Sequence, residues 1–163
     1  MALPYIELEY VGFWARVGAS IIDTLLMGII ILPVVTAVYG TGYWLDGGFI
    51  KGPVDFLLNW VFPALAVILF WMAKQATPGK MAISARIVDA ETGREPSKRQ
   101  LIVRYLGYYV STLPLLLGIV WVAFDRRKQG WHDKLAGTVV VRPKFRGKYS
   151  ANPYPKITGS AHF

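Results

Sequence analysis

Residues 12–40 read GFWARVGASIIDTLLMGIIILPVVTAVYG, and this stretch decides the class of the protein. No charge follows Asp23 in it, so the apolar run is long enough to cross a bilayer as a helix. Arg16 and Asp23 are close to two helical turns apart, which places both side chains on one face. A carboxylate at the depth of Asp23 is costly unless it is paired, protonated or hydrated.

Two interpretations of this first run remain open. In one, Asp23 is an ion or proton site within the membrane. In the other, Asp23 only bridges helices through hydrogen bonds, and Arg16 lies at the interface with its charged end in water. Both interpretations require an intramembrane helix here.

The apolar residues fall in three blocks, which is typical of a membrane protein. They make up 54% of the 163 residues and are concentrated in residues 17–38, 56–73 and 105–124. Each block has about the 20 residues needed to span a bilayer core. A soluble domain of this size would distribute its apolar residues periodically instead. We therefore predict an all-α membrane protein whose first two blocks are long transmembrane helices.

The basic residues indicate how the third block is arranged. Seven of the 18 Lys and Arg lie between the second and third blocks, and nine follow the third block. The positive-inside rule puts both segments in the cytoplasm. Pro114 interrupts the third block, which predicts two short helices, at 98–111 and 114–124, in a re-entrant or short helical hairpin. The alternative is one kinked crossing with an external basic tail.

Short β-branched segments outside the blocks predict a small cytosolic β pairing. One contains Ile83, Ala85 and Ile87 on one face, and the other is Gly137–Arg142. We expect a membrane domain over residues 1–143. The remaining residues, 144–163, are basic and rich in Pro and Gly, which predicts a mobile tail.

Three segments resemble the RDD family of small bacterial membrane proteins, which is named for one arginine and two aspartates. They are GFWAR with Asp23, the tetrapeptide TPGK at 77–80, and DRRKQGWHDKLAGT at 125–138. The resemblance covers about residues 10–143. It assigns the family signature to Arg16, Asp23 and Asp133. It also implies transport of an unidentified solute, with cation/proton exchange in some members, and a bacterial inner-membrane location.

The signature residues have separate expected roles. Arg16 and Asp133 lie on the cytoplasmic side, where a guanidinium–carboxylate pair can hold the C-terminal stretch over the start of the first helix. Asp23 lies about 10 Å further along that helix. The oxygen-bearing neighbours Ser20, Thr24 and Asn59 are expected to support it, and such a site suits a proton, Na⁺ or Li⁺. His132 can relay protons or serve as a structural partner.

The sequence favours a transporter, with a membrane scaffold or accessory subunit as the alternative. An enzyme is not expected, because no catalytic constellation is present. With no cysteine and two histidines, we expect no metal site and no cofactor. The expected partners are membrane lipids, with anionic headgroups at the basic segments, and either further copies of the chain or a partner subunit. No nucleic-acid partner is expected. Both termini are expected in the cytoplasm.

Overall fold

A computed structural model describes residues 7–45, 47–48 and 50–144. Within these residues six helices and three strands carry the fold. In chain order they are β1 (Leu8–Tyr10), α1 (Phe13–Tyr39), α2 (Pro53–Lys74), α3 (Pro78–Ala82), β2 (Arg86–Asp89), α4 (Lys98–Thr112), α5 (Leu117–Ala123), α6 (Trp131–Ala136) and β3 (Thr138–Pro143).

Two helices are long and apolar enough to span a membrane, as predicted. Helix α1 has 27 residues and α2 has 22, and few residues of either are buried inside the protein. Apolar side chains of these helices that are not buried inside the protein are expected to contact lipid. A π-type turn at Leu57–Val61 widens α2 near its beginning. A short 3₁₀ turn, Thr41–Leu45, follows α1.

The third apolar block is a bent helix pair. Helices α4 and α5 meet at an angle of 114°, so the predicted broken block is confirmed. The bend lies just after Pro114, where Leu115 and Leu116 adopt positive φ angles of 51° and 65°. Because these two residues leave the right-handed helical region, α5 begins at Leu117 rather than at the proline.

The predicted β pairing is present and has a third strand. Strand β3 lies in the centre of an antiparallel sheet, paired with β2 on one side and β1 on the other. Strand β1 was not predicted, because Leu8–Tyr10 is too short to show an alternating pattern. One face of the sheet packs on the helices, with a core formed by Val11, Trp71, Ala85, Ile87, Leu101 and Val140.

The sheet joins three distant parts of the chain. Strand β1 leads into α1, β2 follows α2 and α3, and β3 follows α6. All three segments therefore meet at one end of the helices, which fits a third block that turns back rather than crossing once. Of the predicted mobile tail, residues 145–163 lie outside the described residues.

Candidate functional site

A buried ionic cluster joins the first helix to the C-terminal part of the domain. Arg16 Nη1 lies 2.6 Å from Asp133 Oδ2, so the predicted ion pair is present. The other carboxylate oxygen, Oδ1, pairs with Nη1 of Arg104 on α4. The side chains of Asp133 and Arg104 are fully buried, and that of Arg16 is 11% exposed. We call Arg16, Arg104 and Asp133 the Asp133 cluster.

Local structure holds Asp133 in place. It lies in the first turn of α6, where its Oδ2 accepts the Gly130 N–H at 3.0 Å. A carboxylate that accepts a backbone N–H there stabilises the start of the helix. Helix α6 packs closely on α4 at Gly107, where an added Cβ would lie 2.9 Å from the Cα of His132. The absence of a side chain at Gly107 therefore brings Asp133 within reach of Arg104.

The Asp133 cluster carries more positive than negative charge. Burial raises the pKa of Asp133, but the guanidiniums of Arg104 and Arg16 outweigh burial and hold that pKa well below its usual range. Two guanidiniums thus face one ionised carboxylate. Arg16 also donates to the carbonyls of Val11 and Lys128, which places its charge among backbone dipoles rather than a second carboxylate.

His132 lies beside this cluster and is neutral. Its ring stacks on Tyr108 with centroids 3.9 Å apart. Burial lowers the pKa of His132 to about 3. The Ser111 hydroxyl donates to the Gly107 carbonyl and lies 3.3 Å from His132 Nδ1, so Nδ1 must carry the proton between them. His132 Nε2 is buried without a hydrogen-bond partner.

Asp23 is not part of the Asp133 cluster. Its Oδ2 accepts the Thr77 hydroxyl at 2.5 Å and its Oδ1 accepts the Gly79 N–H at 2.7 Å. Asp23 therefore binds the first turn of α3 from within α1. Helix α3 approaches α1 closely at Gly79, where an added Cβ would lie 2.8 Å from the Ala19 carbonyl carbon.

Asp23 also lines a cavity of about 350 Å³. Four serine and threonine side chains, from Ser20, Thr24, Thr77 and Thr112, line this cavity together with Lys80. The aromatic and aliphatic part of the wall comes from Val67, Trp71, Tyr105, Tyr108 and Tyr109. The cavity thus combines a carboxylate, hydroxyl oxygens and an amine in an apolar setting.

The prediction that Asn59 supports Asp23 is wrong. Asn59 does not reach Asp23, because its amide donates to Asp55 Oδ1 at 2.6 Å. Asp55 is buried near the beginning of α2 and also accepts the Tyr43 hydroxyl and the Lys51 N–H. This second polar group fastens the loop between α1 and α2 to α2.

Two basic residues of the site were not identified as site residues from the sequence. Arg104 occurs in the run LIVRYLGYY, and a single arginine between apolar residues is a signal for a buried ion pair. Lys80 is only 8% exposed, and burial lowers its pKa. Its sequence signal was its position in the TPGK segment at 77–80.

Sequence comparisons identify a family and several uncharacterized relatives of this chain. The sequence model of the RDD family matches residues 10–137. A Rickettsia prowazekii protein, itself uncharacterized, is 44% identical over 75 residues, which cover 46% of this chain and only 41% of that relative.

Two Bacillus subtilis proteins match over most of their length. The uncharacterized membrane protein YteJ is 28% identical over 85% of both chains. The uncharacterized protein YckC is 28% identical over 80% of this chain and 83% of its own. No solved structure matches the chain significantly.

Proposed function

The chain belongs to the RDD family and has the helices of a membrane protein, and from this premise we propose that it transports a small cation or solute through the cavity at Asp23. The observation that carries the proposal is an aspartate that lines a cavity from within an apolar membrane helix. Such a group is rare in a membrane span unless it has a partner or a function.

The chemistry of the cavity favours a proton or a hard monovalent cation. Asp23 supplies the negative charge, and Ser20, Thr24 and Thr77 supply hydroxyl oxygens. Oxygen donors of this kind suit Na⁺, Li⁺ or a proton better than a transition metal. The bonds from Thr77 and Gly79 use one acceptor position on each oxygen of Asp23, and each oxygen has a second.

Lys80 supports a coupling of the cation to protons. Its side chain lines the same cavity as Asp23, so a cation bound at Asp23 would be repelled by the Lys80 ammonium. Burial lowers the pKa of Lys80, which makes loss of its proton easier. Binding of a cation and release of a proton from Lys80 would therefore favour each other, which is the requirement for cation/proton exchange.

A scaffold or accessory subunit is the second candidate. It is favoured by the two hydrogen bonds of Asp23, which join α1 to α3 and would do so without any transport. In this case the charge of Asp23 matters less than its ability to accept hydrogen bonds.

Asp23→Asn separates the two candidates. The substitution keeps the shape and one oxygen acceptor but removes the charge. We expect it to abolish pH-dependent Na⁺ or Li⁺ flux in reconstituted liposomes, while the melting temperature of the same preparation stays close to that of the wild type. Glu91→Gln is the matched control, because Glu91 is an exposed carboxylate outside the cavity. Equal flux in wild type and Asp23→Asn would reject the transport proposal and favour the scaffold.

A further inference from the structure

A second cavity lies between α1 and the bent pair formed by α4 and α5. Its volume is about 480 Å³. Its polar part contains Arg16, Lys80, His132 and Tyr108. Its mainly apolar part contains Val17, Ile21, Leu25, Leu116, Ile119 and Val120, with the hydroxyls of Ser20 and Thr24 among the apolar residues of α1. A wall that combines charged groups with a larger apolar surface suits an amphiphile better than a fully polar or fully apolar molecule.

The polar part has an unbalanced positive charge. With Lys80 protonated, a state that a bound anion would favour, the described residues around it place three cations, Arg16, Lys80 and Arg104, against two carboxylates, Asp23 and Asp133. His132 does not change the balance because it is neutral. A buried excess charge is costly, so an anion at this position would stabilise the protein.

Donors remain available for such an anion. The Arg16 guanidinium donates three hydrogen bonds, to Val11, Lys128 and Asp133. A guanidinium has five N–H groups, so two remain for a ligand. His132 adds no donor, because its Nε2 is buried 3.6 Å from Asp133 Oδ2 and carries no proton.

The apolar part continues from this polar end into the membrane. Val17, Ile21 and Leu25 recur every four residues on α1 and so share one face. From Arg16 to Leu25 this face extends about 14 Å along the helix axis. Ile21 and Leu25 are more than half exposed in the protein alone, which leaves the wall open for a hydrocarbon chain to cover.

We propose that this cavity binds one anionic phospholipid, with its phosphate against Arg16 and Lys80 and an acyl chain along Val17, Ile21 and Leu25. A phosphate matches both a guanidinium and an ammonium. A basic pocket between membrane helices is a recurring site for anionic headgroups. This inference goes beyond the proposed transport and does not depend on it.

The binding test uses the full-length protein purified in an uncharged detergent. Phosphatidylglycerol, phosphatidylcholine, oleate and inorganic phosphate are added separately, and the melting temperature and the bound lipid seen by native mass spectrometry are recorded. We expect phosphatidylglycerol alone to raise the melting temperature and to remain bound at one copy. Equal effects of the two phospholipids would overturn the proposal. So would an equal effect of oleate, which would indicate a fatty acid, or of inorganic phosphate.

Substitutions locate the lipid. Val120→Trp fills the apolar part, so we expect at least a tenfold loss of phosphatidylglycerol affinity. Leu113→Trp is the matched control, because Leu113 is exposed on the same bent pair and does not line the cavity. Lys80→Gln should weaken binding about fivefold and Lys80→Arg should restore it, as expected for one charge near a headgroup. Equal effects of the two tryptophans, or no effect of Lys80→Gln, would contradict the assigned position.

Asp23→Asn separates this inference from the transport proposal. It removes a negative charge near the polar part, so phosphatidylglycerol should bind at least as tightly as to wild type, whether or not flux is lost. A loss of phosphatidylglycerol binding in this variant, with the melting temperature unchanged, would contradict the lipid site.

Discussion

Arg16 Nη1 and Asp133 Oδ2 lie 2.6 Å apart although 117 positions separate the two residues in the chain. This contact closes the domain, because it links the start of the first membrane helix to the helix that follows the bent pair. Arg104 approaches the same carboxylate from α4, so a single aspartate connects three helices. Arg16 and Asp133, which lie near opposite ends of the sequence, therefore hold the same group of helices together.

The Asp133 cluster should respond unequally to the loss of its members. Asp133→Asn leaves two buried guanidiniums without a carboxylate, and we expect it to destabilise the protein by about 3–5 kcal/mol. Arg16→Met or Arg104→Met leaves one cation with one carboxylate, so each should cost less. Unfolding in detergent measures all three. The double variant of Arg16→Met with Asp133→Asn should cost less than the sum of its parts. Strict additivity, or a milder effect of Asp133→Asn than of either arginine, would contradict this account.

Gly79 should tolerate no side chain. A methyl group there would meet the Ala19 carbonyl and the Asp23 carboxyl carbon, both of which are fixed by α1. Gly79→Ala must therefore push α3 away from α1 and weaken the bonds that Asp23 makes to Thr77 and Gly79. We expect the free energy of unfolding to fall by about 1–3 kcal/mol, and this is measured as a lower melting temperature.

Gly18→Ala is the matched control for this change. Gly18 lies on α1, the helix that Gly79 of α3 packs against, and an added Cβ at Gly18 would meet nothing within 4 Å. Alanine also favours helix over glycine by about 1 kcal/mol, so Gly18→Ala should be neutral or stabilising. Similar destabilisation by both substitutions would show that the contact at Gly79 is not the cause.

The sequence contained enough information for the membrane helices and for one ion pair. Arg16 and Asp133 could be paired because the family resemblance singled out both residues and the charge bias placed both on one side of the membrane. The bent pair followed from Pro114 and the same charge bias. These predictions depend on composition and sequence spacing, which the chain displays directly.

The wrong prediction for Asn59 has a physical cause, because the sequence does not show how α1 and α2 lie relative to each other. Asn59 lies about 9 Å from the beginning of α2, whereas Asp23 lies about 15 Å from the beginning of α1. The end of α1 contacts the beginning of α2 through Tyr39 and Asp55, so the two helices are antiparallel and Asn59 lies toward the end of the pair away from Asp23. Arg104 was missed for a different reason. The charged segments on both sides of Arg104 indicate loops. The burial of this arginine depends instead on the close packing of α4 and α6 at Gly107.

Acid should weaken the fold through His132. Its pKa is about 3 in the folded protein, against about 6.5 when unfolded. Between these values the unfolded chain binds the additional proton, so stability rises with pH and is lost as pH falls from 6.5 toward 3. The slope can reach about 1.4 kcal/mol per pH unit.

Melting temperatures between pH 6.5 and 4.5 test this prediction, because Asp133 titrates below that window. His132→Asn should flatten the dependence, since asparagine does not titrate and can still donate to Ser111. His162→Asn controls for the loss of a histidine elsewhere. A wild-type profile that does not change over this window, or one that His132→Asn leaves unchanged, would contradict a neutral buried imidazole.

The ends of the described chain should lie on the same, cytoplasmic side of the membrane. The sheet supports this topology, because β1 precedes α1, β3 ends the described chain, and the two strands pair directly. Two membrane helices and a bent pair that returns to its own side also bring the chain back to where it began. The basic residues between α2 and α4 and after α5 then favour the cytoplasm over the opposite side.

A reporter fused after Tyr149 should therefore be active only as a cytoplasmic fusion. A second reporter in the loop between α1 and α2, after Gly48, should give the opposite result and serves as the control. A fusion after Tyr149 that is active outside the cytoplasm would contradict this topology, because it would require α4 and α5 to form a single crossing.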